Sequence, residues 1–194
     1  MAVATGPALL EPTQRLRDAI TANGAVAAPV DLTSDDRLPD GTIALVLGDG
    51  APIPHADRIG ANAGLRDAVR AHHGHGRPIV AEGAGIAFLA ESLDGHPMCD
   101  LLPVTAGPGR GGVPGAVELL ATADGPVHGM GERCIGRPSA AVVLDLTTGE
   151  RPAWTIGRRT EGWIAPGLHA SLVVVDWTAT RVRSLLAAAG VDRD

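Results

Sequence analysis

The sequence contains no lysine: all of its basic residues are arginine. A mutational bias toward GC-rich codons accounts for this, and it excludes a P-loop, whose chemistry needs a lysine against the phosphates. There is also no tyrosine and only one phenylalanine, and Ala, Val, Leu and Gly dominate, so the core must be packed from aliphatic side chains. Only two cysteines occur, Cys99 and Cys134, far apart in sequence. A disulfide framework is thereby excluded, and a reducing, cytoplasmic setting is expected. No stretch approaches the ~18 apolar residues of a membrane span, and the first residues lack the basic and apolar regions of a signal peptide. Positive charge is scarce too. A net charge of −6 leaves no basic surface for nucleic acid.

What is present is an alternation of short apolar runs with helical periodicity over 194 residues, which is enough for one domain. The region Val3-Ala4 predicts a first strand. Leu16, Ala19, Ile20 and Asn23 fall on one helical face, closed by Gly24. Strands are expected over 25–30 and 42–47, the second running into the turn Gly48-Asp49-Gly50. A second helix carries Leu65, Ala68, Val69 and His72. A strand over 78–81 leads into Glu82-Gly83-Ala84-Gly85, followed by an apolar helix through Leu93. Strand–helix–strand order of this kind predicts an α/β fold with a mostly parallel central sheet flanked by helices. The second half predicts strands over 117–120, 140–146, 153–156 and 170–176, a long Gly/Pro-rich loop over 106–115, and a closing helix over 179–189. No repeat or linker divides the chain, so residues 1–194 are expected to form one domain.

The stretch from Arg77 to Gly95 resembles the nucleophile region of cobyrinic acid a,c-diamide synthases, which reads Pro-Ile-Tyr-Ala-Glu-Cys-Gly-Gly-Leu-Met-Tyr-Leu. The resemblance continues on both sides. Residues 45–52 resemble the family's Gly-Gly-Gly-Tyr-Pro-Glu loop, 62–69 the helix after it, and 96–103 its Pro-Met-Val-Gly-Leu-Leu-Pro strand. Glu161-Gly162-Trp163 and 170–177 resemble Glu-Gly-Phe and Ala-Ser-Tyr-Leu-His-Leu-His-Phe. The resemblance covers the glutaminase half of that family and implies the class I glutamine amidotransferase-like, flavodoxin-like fold. The half that activates a corrin carboxylate with ATP has no counterpart here.

In that fold a cysteine at a tight strand-to-helix turn attacks the glutamine amide and a histidine activates it. Gly83 stands at the nucleophile position. Val174 and Asp176 stand at the histidine positions. The family's Gly-His-Glu-Phe-His-Tyr-Ser falls near 133–139, without its histidines and glutamate. Losing all three implies that glutamine hydrolysis is absent. The pocket candidates are Gly48, Asp49, Gly50, Glu82, Gly83, Ala84, His169 and Asp176. Glu82 also suits a role bracing the turn, and His169 suits packing or capping.

His72, His73 and His75 are read as a helix terminus, where histidine suits the helix dipole, rather than as a zinc site. Cys99 is read as a buried structural thiol. No metal or cofactor is expected. The resemblance implies a pseudo-amidotransferase whose former active-site pocket binds a small molecule or a partner, in a cobalamin-related or other biosynthetic pathway. Two rival readings stand beside it: an enzyme with new acid–base chemistry at Asp176, Glu82 or His169, and a regulatory subunit of a separate synthetase. Assembly as a homo-oligomer is left open.

Overall fold

A computed structural model describes residues 1–112 and 114–191. Val113, inside the expected 106–115 loop, and residues 192–194 lie outside the described residues.

A six-stranded sheet organises the molecule. Its members are β1 (Ala2–Thr5), β2 (Ala28–Asp31), β3 (Leu45–Leu47), β4 (Ile79–Glu82), β13 (Trp163–Ala165) and β14 (Leu168–Ser171), in the order β13-β14-β4-β3-β1-β2. All neighbouring pairs are parallel except β13 with β14. β1, β3 and β4 are buried along their whole length, as strands covered on both faces must be. Alternation sends Ala2, Ala4, Leu45, Leu47, Ile79 and Ala81 to one face, against α2 (Ala56–Ala61) and α3 (Ala63–Gly74). Val3, Val46 and Val80 face α1 (Gln14–Ala22) and α4 (Ala179–Ala188) on the other. Three of the helices begin with a side-chain cap. Thr13, Asn62 and Thr178 accept from the amides of Leu16, Leu65 and Arg181 respectively, satisfying donors that helix starts leave open.

The parallel pattern stops there. β8 (Val117–Ala121), β9 (Arg133–Pro138), β11 (Trp154–Ile156), β12 (Arg159–Glu161) and β15 (Val173–Val175) form an antiparallel sheet ordered β12-β11-β8-β9-β15. β5 (Ser92–Leu93), β6 (His96–Pro97), β7 (Thr105–Pro108) and β10 (Val142–Leu144) form a smaller mixed one.

Two expectations need correction. The segment after Gly83 is not a long helix: 3₁₀ turns run from Gly83 to Leu89, and β5 follows. The single strand expected over 170–176 is two strands in different sheets, β14 parallel to β4 and β15 antiparallel to β9. The buried Glu161 makes the break. Its carboxylate accepts from the Leu172 amide at 2.6 Å and the Ser171 hydroxyl at 2.8 Å, while Ser171 Oγ accepts from the Val173 amide at 2.9 Å. These bonds replace ladder bonds that a continuous strand would make.

Candidate functional site around Gly83

β4 ends at Glu82, and the chain turns sharply at Gly83 with φ +63°. A side chain disfavours that conformation, and space disfavours it more. A Cβ on Gly83 would lie 2.6 Å from Asp49 Oδ1 and 2.8 Å from Asp49 Cβ. Gly85 is equally constrained: its Cβ would lie 2.5 Å from the Gly48 carbonyl oxygen. The turn therefore packs backbone to backbone against the loop after β3, and glycine is the residue that permits it.

Asp49 is the centre of this site. Its Oδ1 accepts from the Ala84 amide at 2.8 Å and from the Ser139 hydroxyl, just beyond β9, at 2.8 Å. The loop carrying it is fixed from the other side, where the Leu10 amide donates to the Asp49 carbonyl and the Ala51 amide to the Ala8 carbonyl. The Asp49 side chain thus fills the space a nucleophile at position 83 would occupy, and it takes up the amide that follows.

Two cavities flank Asp49. One, of about 120 Å³, is lined mainly by Leu10, Leu16, Val46, Val174 and Trp177, with Glu82 also contributing. The other, of about 500 Å³, opens past Ser139, Arg137 and Val174 toward Gly111 and Gly112. They share Leu10, Thr13, Asp49 and Val174. Of the pocket candidates, Gly48, Asp49 and Glu82 line this cleft, beside Val174 of the histidine positions, and Gly83 and Ala84 adjoin it through Asp49. Gly50 sits behind it, where its Cβ would lie 2.4 Å from the Ala8 carbonyl oxygen.

Three candidates are engaged outside the cleft or at its edge. Asp176 lies beyond the end of β15, 56% exposed, with Arg15 at 2.8 Å and Arg137 at 3.6 Å. It is a surface ion pair at the mouth, not a buried charge opposite Gly83. His169 is fully buried and absent from both cavity walls. Glu82 is 2% exposed and tied to Arg181 Nη2 at 2.6 Å, with the Val175 amide at 3.3 Å and His169 Nε2 at 3.6 Å. Burial pushes the Glu82 carboxyl up, but Arg181 and His169 more than offset this and hold it at about 2.

Behind Glu82 lies a polar cluster. His169 Nδ1 is 3.2 Å from His128 Nε2, and both rings pack against Trp154. Burial pushes both histidines down, His128 to about 3, which favours their neutral forms. Glu161 is also displaced, upward to about 7, because burial outweighs its bonds from Leu172 and Ser171.

The remaining reactive residues do not converge here. Cys99 is buried, and burial raises its thiol to about 12. Cys134 lines a separate cavity beside Glu118 and Ile135. His72 is buried in the last turn of α3, with Nε2 3.4 Å from the Pro78 carbonyl, and burial lowers its pKa. Among the described residues no group of three or more His, Cys, Asp or Glu side chains could hold a metal ion.

Sequence reasoning passed over His128, Arg181 and Ser139. Ser139 was visible, because the family's substrate-side motif also ends in serine. Arg181 carried a fainter signal: it sits four residues before Leu185, on the apolar face of α4. His128 had no pattern to betray it.

No family model matches the chain. It is 34% identical over 182 residues to hydrogenobyrinate a,c-diamide synthase of Streptomyces coelicolor, covering 92% of this chain and 37% of that protein. The Thermobifida fusca protein of the same name is 31% identical, with 91% and 39% covered. The chain thus spans about two fifths of the length of these relatives. A crystal structure of a glutamine amidotransferase superposes with a TM-score of 0.69 at 21% identity, covering 98% of this chain and 99% of that one. A structure of PurLQS from Thermotoga maritima superposes at 0.65 and 16% identity, covering 96% of each chain. No helix is long and apolar enough to cross a membrane among the described residues. The chain therefore has the glutamine amidotransferase fold and is homologous, over most of its length, to part of the hydrogenobyrinate a,c-diamide synthases.

Proposed function

We propose that this protein does not hydrolyse glutamine and uses the cleft beside Gly83 to hold a small molecule, in a cobalamin-related or other biosynthetic pathway. The observation that carries the reading is Asp49. Its carboxylate fills the nucleophile's space and binds the Ala84 amide at 2.8 Å. Thiol attack on an amide needs a nucleophile, a base and donors for the developing oxyanion. Here position 83 has no side chain, valine lines the facing wall, and the nearest amide is already engaged. Acid–base chemistry by Glu82, Asp176 and His169 finds less support, since these three are respectively ion-paired, at the surface, and buried out of the cleft.

Retention of a binding role is supported by the space itself. A vacated site gains stability by filling, roughly 24 cal/mol per Å³ in one well-studied protein, yet a cleft of about 500 Å³ remains. The relatives' names add a partner to the reading. They are synthases, and more than half of their length has no counterpart in this chain, which supports a separate synthetase component as partner.

The test is ammonia release from glutamine by the pure protein, alone and with candidate synthetases. Release at the level of a buffer blank is expected. Release above the blank that disappears in Ser139→Ala or Asp49→Ala overturns the proposal. Binding is checked separately by a fragment screen followed through backbone amide resonances, with shifts expected at Asp49, Ala84 and Val174.

A further inference from the structure

The polarity of the cleft is opposite to that of an elbow built to receive an oxyanion. Such an elbow presents free donors to a ligand oxygen. Here the Ala84 amide and the Ser139 hydroxyl both donate to Asp49 Oδ1, each at 2.8 Å. The donors that would welcome a carboxylate or amide oxygen are satisfied by a carboxylate of the chain itself, and an incoming anion would meet that charge.

An acceptor is what remains. Asp49 Oδ2 makes no hydrogen bond to the described residues, while Oδ1 is held by two. The carboxylate is fixed, half-buried and lines both cavities. Of the other two acids in the smaller cavity, Glu82 is matched by Arg181 at 2.6 Å and Glu11 by Arg17 at 3.5 Å. The arginines at the mouth, Arg15 and Arg137, are both engaged by Asp176. The smaller cavity next to Asp49 is walled by Val46, Val174, Leu16 and Trp177 and has room for a few carbon atoms. An acceptor of fixed position beside an apolar crevice is complementary to a cationic donor on an apolar body. Bonds between an ammonium and a carboxylate are about twice as strong as neutral ones, and apolar walls reduce their screening by water and salt.

We propose that the cleft binds a small organic amine, its protonated nitrogen donating to Asp49 Oδ2 and its apolar body lying against Val46, Val174 and Trp177, and that it rejects carboxylates of the same shape. This rests on the reading of the cleft as a ligand site and names the class of ligand.

The experiment uses two probes of nearly equal shape and opposite head group, 3-methylbutylamine and 3-methylbutanoate, titrated into the ¹⁵N-labelled protein near neutral pH. The amine should give saturable shifts at the amides of Asp49, Ala84 and Val174, and the acid none over the same range. Asp49→Asn keeps the size and the acceptor for Ala84 but removes the charge, and should weaken amine binding at least about tenfold, a change of about 1.4 kcal/mol. Asp49→Gly frees the Ala84 amide and should reverse the preference. The wild-type comparison needs no variant, so a variant that fails to fold leaves the test intact. Acid binding to the wild type in place of the amine overturns the ligand class while the cleft remains a ligand site. Equal binding of the amine by a folded Asp49→Asn protein overturns the role of Asp49. If neither probe shifts a resonance of the cleft, this proposal falls, and the broader reading is judged by the fragment screen.

Discussion

At position 83 two independent constraints act on one residue. The first is φ of +63°, which costs a non-glycine residue of order 1 kcal/mol. The second is the Asp49 carboxylate, 2.6 Å from where a Cβ would sit. Gly83→Cys should therefore destabilise by about 1–3 kcal/mol, combining backbone strain with overpacking. Only the second part depends on Asp49. Asp49→Gly in the same chain should return part of the loss, giving a coupling of about 0.5–3 kcal/mol in a double-mutant cycle read by urea unfolding. Strict additivity would show that Asp49 does not compete for the nucleophile's space. The glycine was legible in the sequence because the flanking residues fixed its place in the motif. What fills the gap was less legible: Asp49 replaces a glycine in the family's Gly-Gly-Gly-Tyr-Pro-Glu loop, and nothing in the linear pattern shows that its side chain turns toward position 83.

At the scale of elements, Glu82 and Arg181 join pieces that share no backbone ladder. Glu82 ends β4, Arg181 opens α4, and Arg181 also donates to the Val175 carbonyl of β15 at 3.0 Å. The pair thus holds the parallel sheet, the closing helix and the antiparallel sheet at one point, with Arg181 over the Trp177 ring at 4.7 Å. Arg181→Met should cost about 3–5 kcal/mol, because it leaves Glu82 buried without its counter-charge. The double variant Glu82→Gln, Arg181→Met should be the more stable of the two in thermal unfolding. If the single variant is as stable as wild type, Glu82 is not held as an ion. The strands and helices of the first half were readable, since each apolar run is long enough to be buried on both faces. The break at Leu172 was not. Apart from Ser171, residues 170–175 are apolar, so with Asp176 they read as one strand, and the acid that interrupts them, Glu161, lies a hairpin away in sequence. That one bend places Asp176 at the surface, while Val174, the other histidine position, still lines the cleft.

At the scale of the whole molecule, buried titratable groups set the pH range over which the fold is stable. His128 and His169 have folded pKa values below the unfolded value near 6.5, and His72 shifts the same way. The unfolded chain therefore binds protons that the native state refuses, so stability present above pH ~6.5 is lost as pH falls. Glu82, held at about 2 against 4.5, adds a further loss as pH falls below ~4.5. Glu161 acts in the opposite direction. Raised to about 7, it favours the native state while protonated, and that contribution fades as pH rises from 4.5 through 7. Between pH ~4.5 and ~6.5 the histidines outnumber Glu161, so the net slope still favours higher pH. Stability measured by chemical denaturation should peak near pH 6.5–7 and decline on the acid side, more steeply below ~4.5 where Glu82 joins. Glu161→Gln should steepen the rise between pH ~4.5 and ~7 by removing the opposing contribution, and His128→Gln should shallow the acid limb without moving the Glu161 contribution. An acid limb unchanged by His128→Gln would mean that the buried histidine pair is already charged in the native state, with Glu82 as its counter-ion, and that the polar cluster behind the cleft is held together by ions and not by neutral rings.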